Sequence, residues 1–211
     1  MTSPVPRLVL ATHNQHNVTE LRQILLASGL LPDLSDSDVV GAKDFGVLEP
    51  VEDGVTFAAN ALIKARAIAK ATGLPALADD SGLAVDVLGG APGIFSARWA
   101  GAHGDDTANL NLLLAQLNDI APEHRGARFV CAAALVTPEG EEFVAEGTLE
   151  GTLLFAPRGS GGFGYDPILQ PIGDDRSCAQ LSADEKNAIS HRGNAFRAIA
   201  PIVARVLADR A

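Results

Sequence analysis

The 211-residue chain predicts a single α/β domain built on a mixed sheet. Three observations carry that expectation. Helix and strand signals alternate from Leu8 to Leu117, the pattern of a sheet covered by helices. Two apolar-rich stretches, "ARFVCAAALVT" and "EEFVAEGTLEGTLL", flank Pro138-Glu139-Gly140 and predict a hairpin, so part of the sheet must be antiparallel. No repeat, low-complexity tract or linker-like stretch divides residues 1–211.

The elements follow in order. Leu8, Val9 and Leu10 read as a short buried strand. From Val18 the apolar positions Val18, Leu21, Leu25 and Leu26 fall close to helical spacing, and Gly29 supplies a stop. Between them lie Ala11 to Asn17, with two His, two Asn and no permanently charged side chain. A strand-to-helix turn opens onto unpaired N–H groups and the positive end of a helix dipole, so it suits an anion. A second helix is expected from Thr56 to Ala71, with Phe57, Ala61, Ala65 and Ile68 on one face and Gly73 after its end. "LPALADDSGLAVDVLGG" reads as two short strands around an acidic turn. "DDTANLNLLLAQLN" is a third helix capped by Asp105 or Asp106. After the hairpin, Ser182 with Glu185 three residues on forms a capping box opening "SADEKNAI". A final amphipathic helix spans about Ser190 to Leu207, with Pro201 expected to kink or interrupt it.

Composition narrows the function classes. Apolar residues make up 47% and charged ones 20%, as in a soluble globular protein with a substantial core. No stretch approaches the roughly 18 uninterrupted apolar residues of a membrane span. The opening "MTSPVPRLVL" lacks a positive region followed by a long apolar one, so no signal peptide is expected. Cys131 and Cys178 match no metal-ligand spacing and read as small buried apolar groups in a reducing cytoplasm. The net charge of −10 disfavours a nucleic-acid partner but leaves small phosphorylated ligands open, because local cations and a metal ion outweigh a global field.

Four segments look like chemistry. In "APRGSGGFGYDP", Gly159, Gly161 and Gly164 satisfy G-x-G-x-x-G by spacing, but Tyr165-Asp166-Pro167 cannot start the helix a dinucleotide site requires. Gly159 and Gly164 also have the outer spacing of a P-loop, with Tyr165 where lysine is needed. The loop is either a long glycine turn or a ligand wall in which Phe163 and Tyr165 offer an aromatic face. In "ADDSG", Asp79 and Asp80 point to opposite faces if the backbone is extended, so the stretch is either a plain Asp-Asp-Ser-Gly turn or a site where one carboxylate suits a divalent cation while the other holds the turn. Glu49 and Glu52 in "LEPVEDG" are candidates for a second carboxylate. "EKNAISHR" gathers Lys186, His191 and Arg192 near a helix start, where basic residues oppose the dipole and need another reason. Lys64, on a turn shared with Asn60, reads alone as an ordinary exposed lysine.

Taken in order, "LVLATHN", "TFAANALIKA", "ADDSGLAVDVLGGAPGIFSARW", "GGFGYDP" and "DEKNAISHRG" resemble the inosine triphosphate pyrophosphatase family, the non-canonical purine NTP pyrophosphatases. The resemblance runs from Leu8 into the C-terminal helix. It implies an elongated mixed β-sheet flanked by helices, a homodimer, and Mg²⁺-dependent cleavage of ITP, dITP or XTP to the monophosphate and pyrophosphate, clearing deaminated purines from the nucleotide pool. By position it also implies roles. Thr12, His13, Asn14, Gln15, His16 and Asn17 form the turn that holds the phosphates. Asp80 is the metal-binding aspartate and general base, Ser81 its substrate-contacting neighbour, and Lys64 lies near the triphosphate. Phe163, Gly164, Tyr165 and Asp166 form the loop against the base, and Lys186, His191 and Arg192 recognise it. Glu52 is taken as the second metal carboxylate. The chain departs from the family pattern at Asn17, where lysine is usual, and at Ala59, where glutamate is usual.

Overall fold

The computed structural model describes residues 6–11, 19, 22–26, 29–30, 35 and 37–210. The turn Thr12 to Asn17, with Val18 and Leu21, lies outside the described residues. Of the first predicted helix, residues 22–26 are helical, with Leu25 fully buried and Leu26 exposed; Gly29 follows with φ +66° and its N–H on the Leu26 carbonyl.

The elements are β1 (Leu8–Leu10), β2 (Val39–Gly41), α1 (Phe57–Thr72), β3 (Ala76–Val85), α2 (Asp106–Gln116), β4 (Gly126–Val136), β5 (Glu142–Leu153), β6 (Leu169–Pro171), α3 (Ala183–Ile189) and α4 (His191–Ala208). One six-stranded sheet has the order β2-β1-β3-β4-β5-β6. Strand β1 pairs parallel with β2 and β3, and β6 pairs antiparallel with β5, so the sheet is mixed as expected. The predicted hairpin forms, with Thr137 N–H on the Glu141 carbonyl and Gly140 N–H on that of Thr137.

The residues gather into two compact units. The first comprises Met1–Asp80, Cys131–Gly147 and Arg192–Ala211; the second comprises Ser81–Val130 and Thr148–His191. In the first unit the strand alternation sorts side chains between two helices. Leu8, Leu10, Leu77, Cys131, Ala133 and Leu135 share a cluster with Phe196, Ile199 and Val203 of α4. Val9, Ala76, Ala78, Ala134 and Val136 share another with Ala61, Ala65 and Ile68 of α1. Helix α1 starts where Thr56 accepts the Ala59 N–H at 3.1 Å and ends at Gly73, whose φ of +68° is open to glycine at no steric cost. The second unit is built on Leu83, Leu113, Leu117, Phe129, Leu153, Tyr165 and Ile168. Its helix α2 is capped by Asp105, which accepts the Ala108 N–H at 2.9 Å.

Three expectations change. "ALADDSGLAV" is one continuous strand, not two around an acidic turn. Within the first unit Asp79 and Asp80 find partners on opposite faces, described below, so neither carboxylate needs a turn to stay satisfied. Helix α4 runs uninterrupted through Pro201. Burying Phe196, Ile199, Val203, Val206 and Leu207 contributes roughly 1.5–3 kcal/mol each, which outweighs the ~3 kcal/mol a mid-helix proline costs. The segment around Lys186 is split at Ser190, whose ψ of 143° is extended. Lys186 therefore lies in the last turn of α3, where the helix dipole favours a cation, while His191 and Arg192 open α4.

Candidate active site

In the first unit, Asn60 and Lys64 stand one helical turn apart on α1 and converge on Asp80 of β3. Asn60 Nδ2 donates to Asp80 Oδ2 at 3.0 Å. Lys64 Nζ lies 3.8 Å from Asp80 Oδ1 and 3.0 Å from Glu52 Oε1. Glu52 arrives because Gly54 lies flat against the helix start, where a Cβ would come within 2.5 Å of Asn60 Oδ1. The cluster therefore holds an ammonium between two carboxylates. Asn60 is fully buried, and sequence reasoning gave it no role beyond its position.

Asp79, on the other face of β3, accepts from Arg192 Nε at 3.0 Å, and the Cys131 thiol points at the same Oδ2 from 3.8 Å. Burial, reinforced by the Asp79 carboxylate, pushes the Cys131 thiol well up and keeps it protonated. Cys178 is pushed up to about 12, again chiefly by burial. Both cysteines are buried and unbridged, as read from the sequence. Arg192 thus compensates a strand carboxylate in the first unit, while Lys186 and His191 belong to the second.

The donor set suits a hard divalent cation. No group of three or more His, Cys, Asp or Glu side chains comes together among the described residues. Mg²⁺ does not require one, since it is held by one or two carboxylates with waters and substrate phosphates. Asp80 and Glu52 supply two such oxygens around a point that already attracts a cation, the Lys64 ammonium. Glu49 is exposed.

In the second unit a pocket is lined by Ser81, Phe129, Phe163, Gly164, Tyr165, Asp166, Lys186 and His191, among others. Asp166, nearly fully buried, accepts the Phe163 N–H at 2.8 Å and Lys186 Nζ at 2.6 Å. The tight approach depends on Gly162, with φ +71°, where a Cβ would collide with the Asp166 carboxylate. Lys186 Nζ also sits 4.9 Å from the centre of the Phe163 ring. The His191 imidazole stacks on Phe129 at 5.0 Å and 28°, a partnership no sequence signal marked.

The two aromatics of the glycine loop have different roles. Phe163 is 65% exposed and offers its ring, whereas Tyr165 is buried and its hydroxyl donates to the Ser96 carbonyl at 2.9 Å. Burial, helped by the Asp106 carboxylate, raises the Tyr165 hydroxyl above its usual value, so it stays a donor. Ser96 in turn accepts the Leu83 N–H at 2.9 Å and donates to the Gly93 carbonyl at 2.6 Å. After Pro167 the chain turns into β6 rather than a helix, in keeping with the rejected dinucleotide fingerprint.

Residues 8–202 match the Ham1 family model. The chain belongs to the Ham1 family. It is 66% identical over 202 residues to the dITP/XTP pyrophosphatase of Streptomyces coelicolor, covering 95% of this chain and 98% of that one. Its fold is similar to a solved HAM1 protein from Coxiella burnetii, with a TM-score of 0.84, 39% identity and coverage of 95% and 100%. It is likewise similar to a nucleoside-triphosphatase / dITP/XTP pyrophosphatase from Mycobacterium abscessus, with a TM-score of 0.77, 50% identity and coverage of 92% and 99%. Membership of the Ham1 family bears out the recognition drawn from the five ordered motifs, and the solved neighbours bear out the α/β fold.

Proposed function

We propose that this Ham1-family chain is a Mg²⁺-dependent pyrophosphatase that hydrolyses dITP, XTP and ITP to the monophosphate and pyrophosphate. The observation that carries the reading is the Lys64 ammonium held between the Glu52 and Asp80 carboxylates. The names of the relatives give the same substrate class.

Asp80 and Glu52 would hold the ion, which when bound lowers the pKa of water and neutralises phosphate charge. Asn60 fixes the Asp80 carboxylate through Oδ2. Asp80 takes a proton from the water that attacks phosphorus; the bond to the leaving oxygen breaks and pyrophosphate departs. Lys64 donates to the phosphate chain, with the turn Thr12 to Asn17 supplying neutral donors. In the pocket of the second unit, Phe163 offers a flat ring to a purine. Lys186 and His191 offer N–H donors to the 6-oxygen of hypoxanthine or xanthine. Adenine presents an amino donor there, and a buried donor facing a donor is left unpaired, which discriminates strongly. The same proposal includes a homodimer, testable by sedimentation equilibrium, and a cytoplasmic setting, testable by fractionation. Among the described residues no helix is long and apolar enough to cross a membrane.

The deciding experiment measures pyrophosphate release from dITP, XTP, ITP, ATP and GTP, with Mg²⁺ and with chelator. Selective, Mg²⁺-dependent release from the first three supports the proposal. Release of orthophosphate, equal use of ATP, or turnover in chelator overturns it. Tight binding without turnover would favour a nucleotide-binding protein that has lost hydrolysis, the alternative that Asn17 and Ala59 raise.

A further inference from the structure

The turn that carries Phe163 is fixed by hydrogen bonds rather than by burial, since its ring is 65% exposed. On one side Phe163 N–H is held by the Asp166 carboxylate, and Asp166 N–H returns to the Phe163 carbonyl at 3.2 Å. On the other side the next N–H, that of Gly164, donates to Asp106 Oδ2 at 2.8 Å, across 58 positions of chain. Asp106 is the first residue of α2, directly after the cap Asp105. The two adjacent acids divide two tasks. Asp105 caps the helix by accepting the Ala108 N–H, so Asp106 is not needed for that. Its charge is nevertheless favoured in the first turn by the helix dipole, and a carboxylate oxygen is the acceptor that the Gly164 N–H meets.

We propose that Asp106 is a positioning residue for base recognition: by holding the Gly164 N–H it sets the Phe163 ring, with Lys186 beside it, as one wall of the purine pocket. The inference rests on the substrate class proposed above. It goes beyond that reading by naming a side chain outside the glycine loop and outside the basic segment that determines how well the base is gripped. Asp106 acts on the wall that receives the base and not on the phosphates, so its loss is read in KM.

The test compares Asp106→Ala with Asp106→Asn, leaving Asp105 in place. Asparagine keeps an acceptor oxygen without the charge, whereas alanine keeps none. Asp106→Ala is expected to lower kcat/KM for dITP by roughly 2- to 12-fold, the reach of one net hydrogen bond. The loss should lie in KM, with kcat held within about twofold. Asp106→Asn should recover most of it. Amide deuterium exchange at Gly164, followed by NMR, should be faster in the alanine variant and near wild type in the asparagine variant. Wild-type KM and wild-type Gly164 exchange in Asp106→Ala would overturn the proposal. So would an asparagine variant as impaired as the alanine one, because charge and not the tether would then be responsible. If the wild-type protein shows no selective turnover, the proposed function itself fails, and Gly164 exchange still reads the tether separately.

Discussion

Asp80→Asn separates the charge of the cluster from its shape. The two carboxylates and one ammonium of Glu52, Asp80 and Lys64 leave one net negative charge, and the substitution leaves none. Shape is kept, because the asparagine oxygen still accepts from Asn60 Nδ2, now at 3.0 Å from Asp80 Oδ2. For the fold, the Lys64–Asp80 attraction at 3.8 Å is about 4 kcal/mol at an effective dielectric of 20. Partial solvent access and the relief of repulsion from Glu52 cut the net loss to about 1 kcal/mol, a fall in Tm of about 2–4 °C. For turnover the consequence is much larger. A neutral cluster no longer draws a divalent cation and has no base, and the several kcal/mol of charge stabilisation so lost correspond to roughly 10²- to 10⁴-fold in kcat. The assay is pyrophosphate release from dITP over a Mg²⁺ titration, with a melting curve on the same sample. A folded Asp80→Asn protein whose kcat stays within about threefold of wild type at saturating Mg²⁺ would refute the assignment.

Arg125→Met should lower the melting temperature strongly, because the buried guanidinium donates to the Leu117, Leu153 and Leu154 carbonyls at 2.6, 2.8 and 2.9 Å and all three bonds would be lost, with Leu117 keeping the Ile120 N–H. A loss of about 2–5 kcal/mol is expected from the donors taken away from buried carbonyls, and a Tm within about 2 °C of wild type would contradict it. Tyr165→Phe should destabilise by about 1–3 kcal/mol through the unpaired Ser96 carbonyl, with calorimetry as the check. Lys186→Met should erode the dITP-over-ATP ratio of kcat/KM; an unchanged ratio would remove Lys186 from base recognition. Arg66 holds the Glu142 carboxyl below its ordinary range through a two-point pair, so the folded value lies below the unfolded one. That contribution is complete above about pH 4.3 and is lost as the pH falls through the folded value. The Tm difference between wild type and Arg66→Ala should therefore shrink in acid, and should be small and salt-sensitive throughout, since the Arg66 side chain is 51% exposed.

What could be read from the sequence was local. The Ser182 cap, the Gly73 stop and the hairpin turn depend on residues within a few positions of one another, and all form as read. The opposite facing of Asp79 and Asp80 also followed from strand geometry alone. What could not be read was the continuity of β3, because "DDSG" has turn composition and its carboxylates are satisfied only from afar. Asp79 is met by a residue 113 positions away and Asp80 by one 20 positions away. The burial of Tyr165 could not be read for the same reason, since its hydroxyl finds a carbonyl 69 positions back. Lys64 shows how such partnerships turn an ordinary residue into a candidate catalytic one. Nothing in its helix distinguishes it from Lys70, but Gly54 lets the chain lie close enough for Glu52 to reach it. The same packing bears on the departure at Ala59. Its N–H is already capped by Thr56, so α1 does not depend on a glutamate side chain there. The carboxylate that balances Lys64 opposite Asp80 is supplied by Glu52, from outside the helix.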